Sequence, residues 1–121
     1  MEELYIPGSD KTFTFNLKPG YIHIQGCSYP SNASVYFKPA HEWVKKYAEH
    51  PETVTILDCD FLCCDSSSAR ELTDLLHTLM KGINMAGKEL KVRWRTDDDE
   101  DLLALAEAIE ERLNFRFEYY K

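Results

Sequence analysis

One short stretch, Asp65-Ser66-Ser67-Ser68, gathers residue types well suited to chemistry. It stands where an apolar run (Val54, Ile56, Leu57, Phe61, Leu62) gives way to apolar residues at spacings of three and four (Ala69, Leu72, Leu75, Leu76, Leu79, Met80, Ile83). The first pattern is that of a central strand, the second that of a helix with one buried stripe. All four junction residues favour helix caps over helix interiors, and Ser68 with Glu71 has the spacing of a capping box. The three hydroxyls therefore stand at the positive end of a helix, beside N–H groups with no intrahelical partner. A phosphoryl group would be held well there, and Arg70, one turn beyond Ser66, would pair with it. The same serines read equally as plain helix caps.

Other reactive residues carry weaker signals. Asp58 and Asp60 share one face of the strand, opposite Leu57, Cys59 and Phe61. Paired carboxylates can do acid–base work, but on an open sheet they are expected to meet Arg93, Arg95 or Arg116 in a solvated lattice. Cys59 and Cys63 lack the paired spacing of a structural zinc site, and adjacent Cys63 and Cys64 point to opposite faces of a strand. The four cysteines, with Cys27, read as small buried hydrophobes. His23, His41, His50 and His77 form no recognisable catalytic motif, and His77 reads as structural or solvent-facing. No catalytic, metal or cofactor residues are assigned.

Composition narrows the partners. The 121 residues suit one domain with a real core. A net charge of −7 argues against nucleic acid or an anionic membrane as partner. No apolar run approaches the ~20 residues of a membrane span, and Met1-Glu2-Glu3-Leu4 does not open a signal peptide. A reducing cytoplasmic setting is expected.

The elements that must position the serine corner follow in order. Residues 1–10 read as an extended lead-in closed by the turn Pro7-Gly8-Ser9-Asp10. Thr12–Leu17 and Tyr21–Gln25 alternate polar and apolar around Lys18-Pro19-Gly20, a hairpin pattern. Ser28-Tyr29-Pro30-Ser31-Asn32 carries loop and N-cap signals. The helix after it should run to about Glu49, with Tyr36, Ala40, Trp43, Val44 and Tyr47 on one side. Pro39 predicts a kink or a fresh start. After Pro51 come a strand over Thr53–Cys64 and the helix from the serine corner to about Met85, stopped by Gly87. Lys88–Arg95 alternates again. The acidic run Thr96-Asp97-Asp98-Asp99-Glu100-Asp101 opens a last helix, complementing its dipole. The stripe of that helix is Leu102, Leu105, Ala106, Ile109 and Leu113, and Phe115, Phe117 and Tyr119 alternate in a terminal strand.

Strands buried on both faces read as unbroken apolar runs, whereas these mostly alternate. The expected fold is therefore α/β: a single two-layer domain over residues 1–121, a mixed sheet in the order ββαβαβαβ, with helices mainly on one face. Lys91, Arg93 and Arg95 belong on the other face.

This order, with Asp65-Ser66-Ser67 between strand and helix, resembles a STAS domain, the fold of anti-sigma-factor antagonists. A closer resemblance is to the SiaC-type bacterial regulatory phosphoproteins. It rests on Leu4-Tyr5-Ile6-Pro7, Gly26-Cys27-Ser28-Tyr29-Pro30-Ser31-Asn32, Glu42-Trp43, Asp65-Ser66-Ser67-Ser68, Arg93-Trp94 and the acidic run. The Gly-x-Ser-Tyr-Pro-x-Asn segment is its specific part.

The resemblance implies a non-enzymatic signalling switch, phosphorylated by a cognate protein kinase and restored by a PP2C-type phosphatase. Its unphosphorylated form would bind and activate an effector such as a diguanylate cyclase, in c-di-GMP and biofilm signalling. The family's Asn-Thr-Ser-Ser corner maps its acceptor threonine onto Ser66, with Asp65 in place of the asparagine. The wider STAS group would map the acceptor onto Ser67, and both remain open. Asp65, Ser67, Ser68, Arg70 and Tyr29 are the expected partner-binding residues. The alternative function is an anti-sigma-factor antagonist in a partner-switching transcription control system.

Overall fold

The computed structural model describes residues 1–96 and 99–121. Its elements are β1 (Leu4–Ile6), β2 (Thr14–Lys18), β3 (Tyr21–Ser28), α1 (Ala33–Glu49), β4 (Val54–Cys64), α2 (Ser66–Met85), β5 (Glu89–Arg95), α3 (Glu100–Leu113) and β6 (Glu118–Tyr120). The six strands form one sheet in sequence order. β1, β2 and β3 pair antiparallel, whereas β3 to β6 run parallel. The lead-in is thus partly a strand, because Leu4, Tyr5 and Ile6 find Leu17, Asn16 and Phe15 as partners.

Three crossovers carry the chain from β3 to β4, β5 and β6, each stepping to the next strand in the same direction. Crossovers of this kind are right-handed, so successive steps one way keep α1, α2 and α3 on one face. Alternating burial along β2, β3 and β5 follows from that single cover. Lys91 and Arg95 are exposed and Arg93 half-buried on the open face, while Leu90, Val92 and Trp94 face the helices.

The core beneath the helices is aromatic where β4 ends. Phe61 stacks on Phe13 at 4.5 Å and meets Trp94 edge-on at 5.0 Å. Trp94 stacks on Phe117 at 5.8 Å. Such pairs contribute about 0.5–1.5 kcal/mol each beyond their buried area, so the strand end carrying the serines is firmly seated. Drawing Phe117 into this stack leaves the terminal strand only Glu118–Tyr120.

Three local expectations change. α1 runs through Pro39 as one helix, without a fresh start. Proline frees one carbonyl, that of Val35, and Val35 is itself exposed, so water can satisfy it. Tyr36 is exposed and Phe37 takes its place in the buried stripe with Ala33, Ala40, Val44 and Tyr47. On the open face Asp60 does pair with Arg95 at 3.4 Å. Asp58, however, is buried and accepts from Tyr21 Oη (2.8 Å) and Tyr120 Oη (2.5 Å). Arg93 lies over the Tyr120 ring instead, 4.8 Å from its centroid.

Candidate functional site

The corner between β4 and α2 is built by Asp65. Its backbone is still extended, and its carboxylate accepts from the Ser68 N–H at 2.8 Å. Asp65 is therefore the N-cap, and Ser66, Ser67 and Ser68 form the first helical turn. This corrects the capping box expected from Ser68 and Glu71. The helix has already begun before Ser68, and the Glu71 carboxylate pairs with His41 at 3.0 Å.

Helical rotation separates the three hydroxyls. Ser66 and Ser67 are exposed, whereas Ser68 is fully buried. Four residues before Leu72, Ser68 extends the stripe of Leu72, Leu75, Leu79 and Ile83 towards the sheet. Its Oγ lies 2.6 Å from Ser28 Oγ, also buried. Ser28 is a site residue the sequence reading missed in that role. The Asp65 N–H donates to the Ser28 carbonyl at 2.9 Å. Two of the segments that carried the resemblance, 26–32 and 65–68, are thus joined in space through Ser28. Ser68, expected to face a partner, instead ties α2 to β3.

Ser66 borders two grooves. One, about 420 Å³, has a partly apolar lining of Leu62, Leu102 and Leu105, with Asp65, Asp99 and Asp101 also present. Leu62 is 67% exposed. The other, about 340 Å³, runs between α2 and α3 past Arg70, Thr73, Asp74 and Arg112. Acid thus flanks Ser66 on one side and guanidinium groups line the groove on the other; Arg112 carried no signal in the sequence. Asp99 caps α3 by accepting from the Asp101 and Leu102 N–H groups at 3.0 and 3.1 Å. Asp97 and Asp98 of the acidic run lie outside the described residues. Tyr29, 48% exposed, leaves the C-terminal end of β3 directly after Ser28.

The cysteines depart from their expected role. Cys27 and Cys63 form a disulfide between β3 and β4, with Cα atoms 4.5 Å apart. Among the described residues Cys59 and Cys64 are the free thiols, Cys59 buried and Cys64 partly so. Burial pushes the Cys64 thiol up to about 12, with the Asp65 carboxylate adding to the effect. Cys63, weighed in the sequence as a metal ligand beside Cys59, is here bonded to Cys27. His77 is exposed on α2. A cavity of about 790 Å³ is lined by Met1, Leu4, Pro39, Trp43 and charged residues of α1, without a hydroxyl or thiol. No described helix is long and apolar enough to cross a membrane.

Comparison with known proteins agrees along nearly the whole chain. A structure of apo-SiaC from Pseudomonas aeruginosa superposes with a TM-score of 0.87 at 28% identity, covering 100% of both chains. SiaC in a crystal structure with the diguanylate cyclase SiaD, described as its activator, superposes at 0.81 with 27% identity, covering 96% of this chain and 97% of that one. An uncharacterised protein of Pseudomonas aeruginosa strain UCBPP-PA14 is 29% identical over 120 residues, 97% of this chain and 94% of that protein. The SiaC family regulatory phosphoprotein profile matches residues 9–121, and the chain belongs to that family.

Proposed function

We propose that this chain is a non-enzymatic, cytoplasmic switch whose unphosphorylated form binds and activates a diguanylate cyclase. Phosphorylation of Ser66 by a cognate protein kinase turns it off, and a PP2C-type phosphatase restores it. The observation that carries the reading is the position of Ser66: an exposed hydroxyl at a helix N-terminus, on the rim of a groove with Leu62, Leu102 and Leu105 in its lining. An apolar groove of this kind suits a partner's side chains. A phosphoryl group would add about −1.5 to −2 charges and three strong acceptors at its edge. Beside Asp65, Asp99 and Asp101 that charge repels an acidic or apolar partner surface. The α2 dipole and Arg70 meanwhile keep it compatible with the fold. The output is lost docking, not unfolding. Ser67, equally exposed, is the alternative acceptor, and Asp65, Ser67, Arg70 and Tyr29 form the surrounding contact surface. The complex of SiaC with SiaD supports a cyclase as the effector.

The test reconstitutes the protein with its cognate kinase and cyclase. Ser66→Ala should activate the cyclase constitutively and resist the kinase, and Ser66→Asp should weaken activation incompletely, since one carboxylate carries less charge than a phosphoryl group. Ser67→Ala should leave phosphorylation intact. Modification confined to Ser67 would move the acceptor by one residue. Binding to a sigma-controlling kinase with no effect on any cyclase would favour the anti-sigma-antagonist alternative.

A further inference from the structure

We propose that Cys27 and Cys63 are a reversible thiol–disulfide site that clamps the two strand ends beneath the serine corner. The pairing depends on a slip between β3 and β4. Up to Gly26, opposite Phe61, the register is regular; beyond it Cys27 faces Cys63 and Ser28 faces Cys64. Without the slip Cys27 would face Leu62, and Cys63 would face Ser28. Gly26 has φ +104°, a conformation side chains rarely adopt, and a Cβ there would meet nothing within 4 Å. This glycine serves backbone conformation, not close packing. Leu62, left without a partner at the slip, is 67% exposed on the open face, and the slip brings the Cys27 and Cys63 Cα atoms to 4.5 Å, inside the Cα separations that disulfides span.

The site is accessible and selective. Both cysteines are partly exposed, and Cys63 lines the groove beside Ser66. The remaining thiols compete poorly: Cys59 is buried, and Cys64 stays protonated at neutral pH. In a cytoplasm a disulfide of this kind is transient and regulatory rather than permanent. A small-molecule disulfide such as glutathione disulfide supplies the oxidising equivalents. One cysteine thiolate attacks it, forming a mixed disulfide and releasing one glutathione thiolate. The second cysteine thiolate then attacks the protein-side sulfur, releasing the other. Both protons pass to the departing thiolates, so two protein thiols are oxidised as one disulfide is reduced.

The bond sits one residue from Ser28 and two from Asp65, whose backbones join at 2.9 Å. Closing it pins that junction, and with it the first turn of α2. Its regulatory meaning rests on the proposed switch, but the clamp itself does not, so the test uses neither kinase nor cyclase. The purified full chain is equilibrated in glutathione buffers from fully reduced to fully oxidised. Peptide mass spectrometry without reductant identifies the bond, and hydrogen exchange reads the amides of residues 64–69. The expected result is a Cys27–Cys63 linkage, reversed by excess glutathione, with exchange slowed about tenfold in the oxidised form. Cys27→Ser and Cys63→Ser should match the reduced form in every buffer. Should either variant misfold, the comparison of the two wild-type forms still decides. A different pairing, no bond in any buffer, a bond that survives excess glutathione, or identical exchange in both forms overturns the proposal.

Discussion

Replacing Ser68 by alanine should destabilise the protein by about 1–3 kcal/mol, because it strands a buried hydroxyl without its partner. Ser28 and Ser68 are both sealed from solvent, with their oxygens 2.6 Å apart. Either single alanine leaves the other hydroxyl desolvated and unpaired. The double variant removes both polar groups, so its cost should fall well below the sum of the singles, with a coupling of about 0.5–3 kcal/mol. For 121 residues the unfolding entropy makes 1 kcal/mol worth about 4 °C in Tm, so each single variant should melt roughly 4–12 °C lower. Urea unfolding followed by circular dichroism and tryptophan fluorescence gives the free energies, and a thermal melt gives the Tm. Ser66→Ala and Ser67→Ala are the controls. They are exposed, the cap is supplied by Asp65, and they should stay within about 0.5 kcal/mol of the parent. Singles as mild as these controls, or a strictly additive double variant, would falsify the buried hydroxyl bridge.

Two further predictions concern the scaffold. Gly82→Ala should lower the urea midpoint by the equivalent of about 1–3 kcal/mol despite alanine's better helix propensity. A Cβ there would come 2.5 Å from Ala48 Cβ and 2.6 Å from its carbonyl oxygen in α1, so a more stable variant would contradict the close approach of the two helices. Tyr21 and Tyr120 should ionise above the ordinary phenol range, because burial, the bond to Asp58 and its charge all favour the neutral form. A raised folded pKa makes their stabilisation complete below about pH 10, then lost as pH rises through the folded values. Burial and the bond to Glu110 raise Tyr119 as well, so phenolate absorbance should show three late-titrating tyrosines, of which only the two on Asp58 move earlier in Asp58→Asn; all tyrosines ionising together near the ordinary value would count against the cluster.

Much of the architecture was legible because it depends on short-range periodicity. Alternation in Lys88–Arg95 predicted a sheet with one covered face, and its apolar and basic residues do fall on opposite sides. The stripe of α2 and the cap-rich residues before it located the strand-to-helix corner within residues 65–68, although the N-cap is Asp65 and not Ser68. Glycine at 87, with φ +70°, ends α2 where expected. The phase of the α2 stripe, carried back from Leu72, would even have marked Ser68 as inward-facing. That signal was present in the spacing and was outweighed by the capping-box pattern.

The remaining features required chain segments far apart in sequence to meet. Asp58 reads as a solvated strand carboxylate until Tyr120, 62 positions later, closes over it with Tyr21. Cys27 and Cys63 are separated by 36 positions, and only the slip after Gly26 makes them neighbours. Local sequence determined where strand gives way to helix, because propensity and periodicity act over a few residues. Which hydroxyl faces water, which carboxylate is buried and which cysteines pair were decided by register and packing, since burial and hydrogen-bond partners exist only once distant strands and helices are in contact.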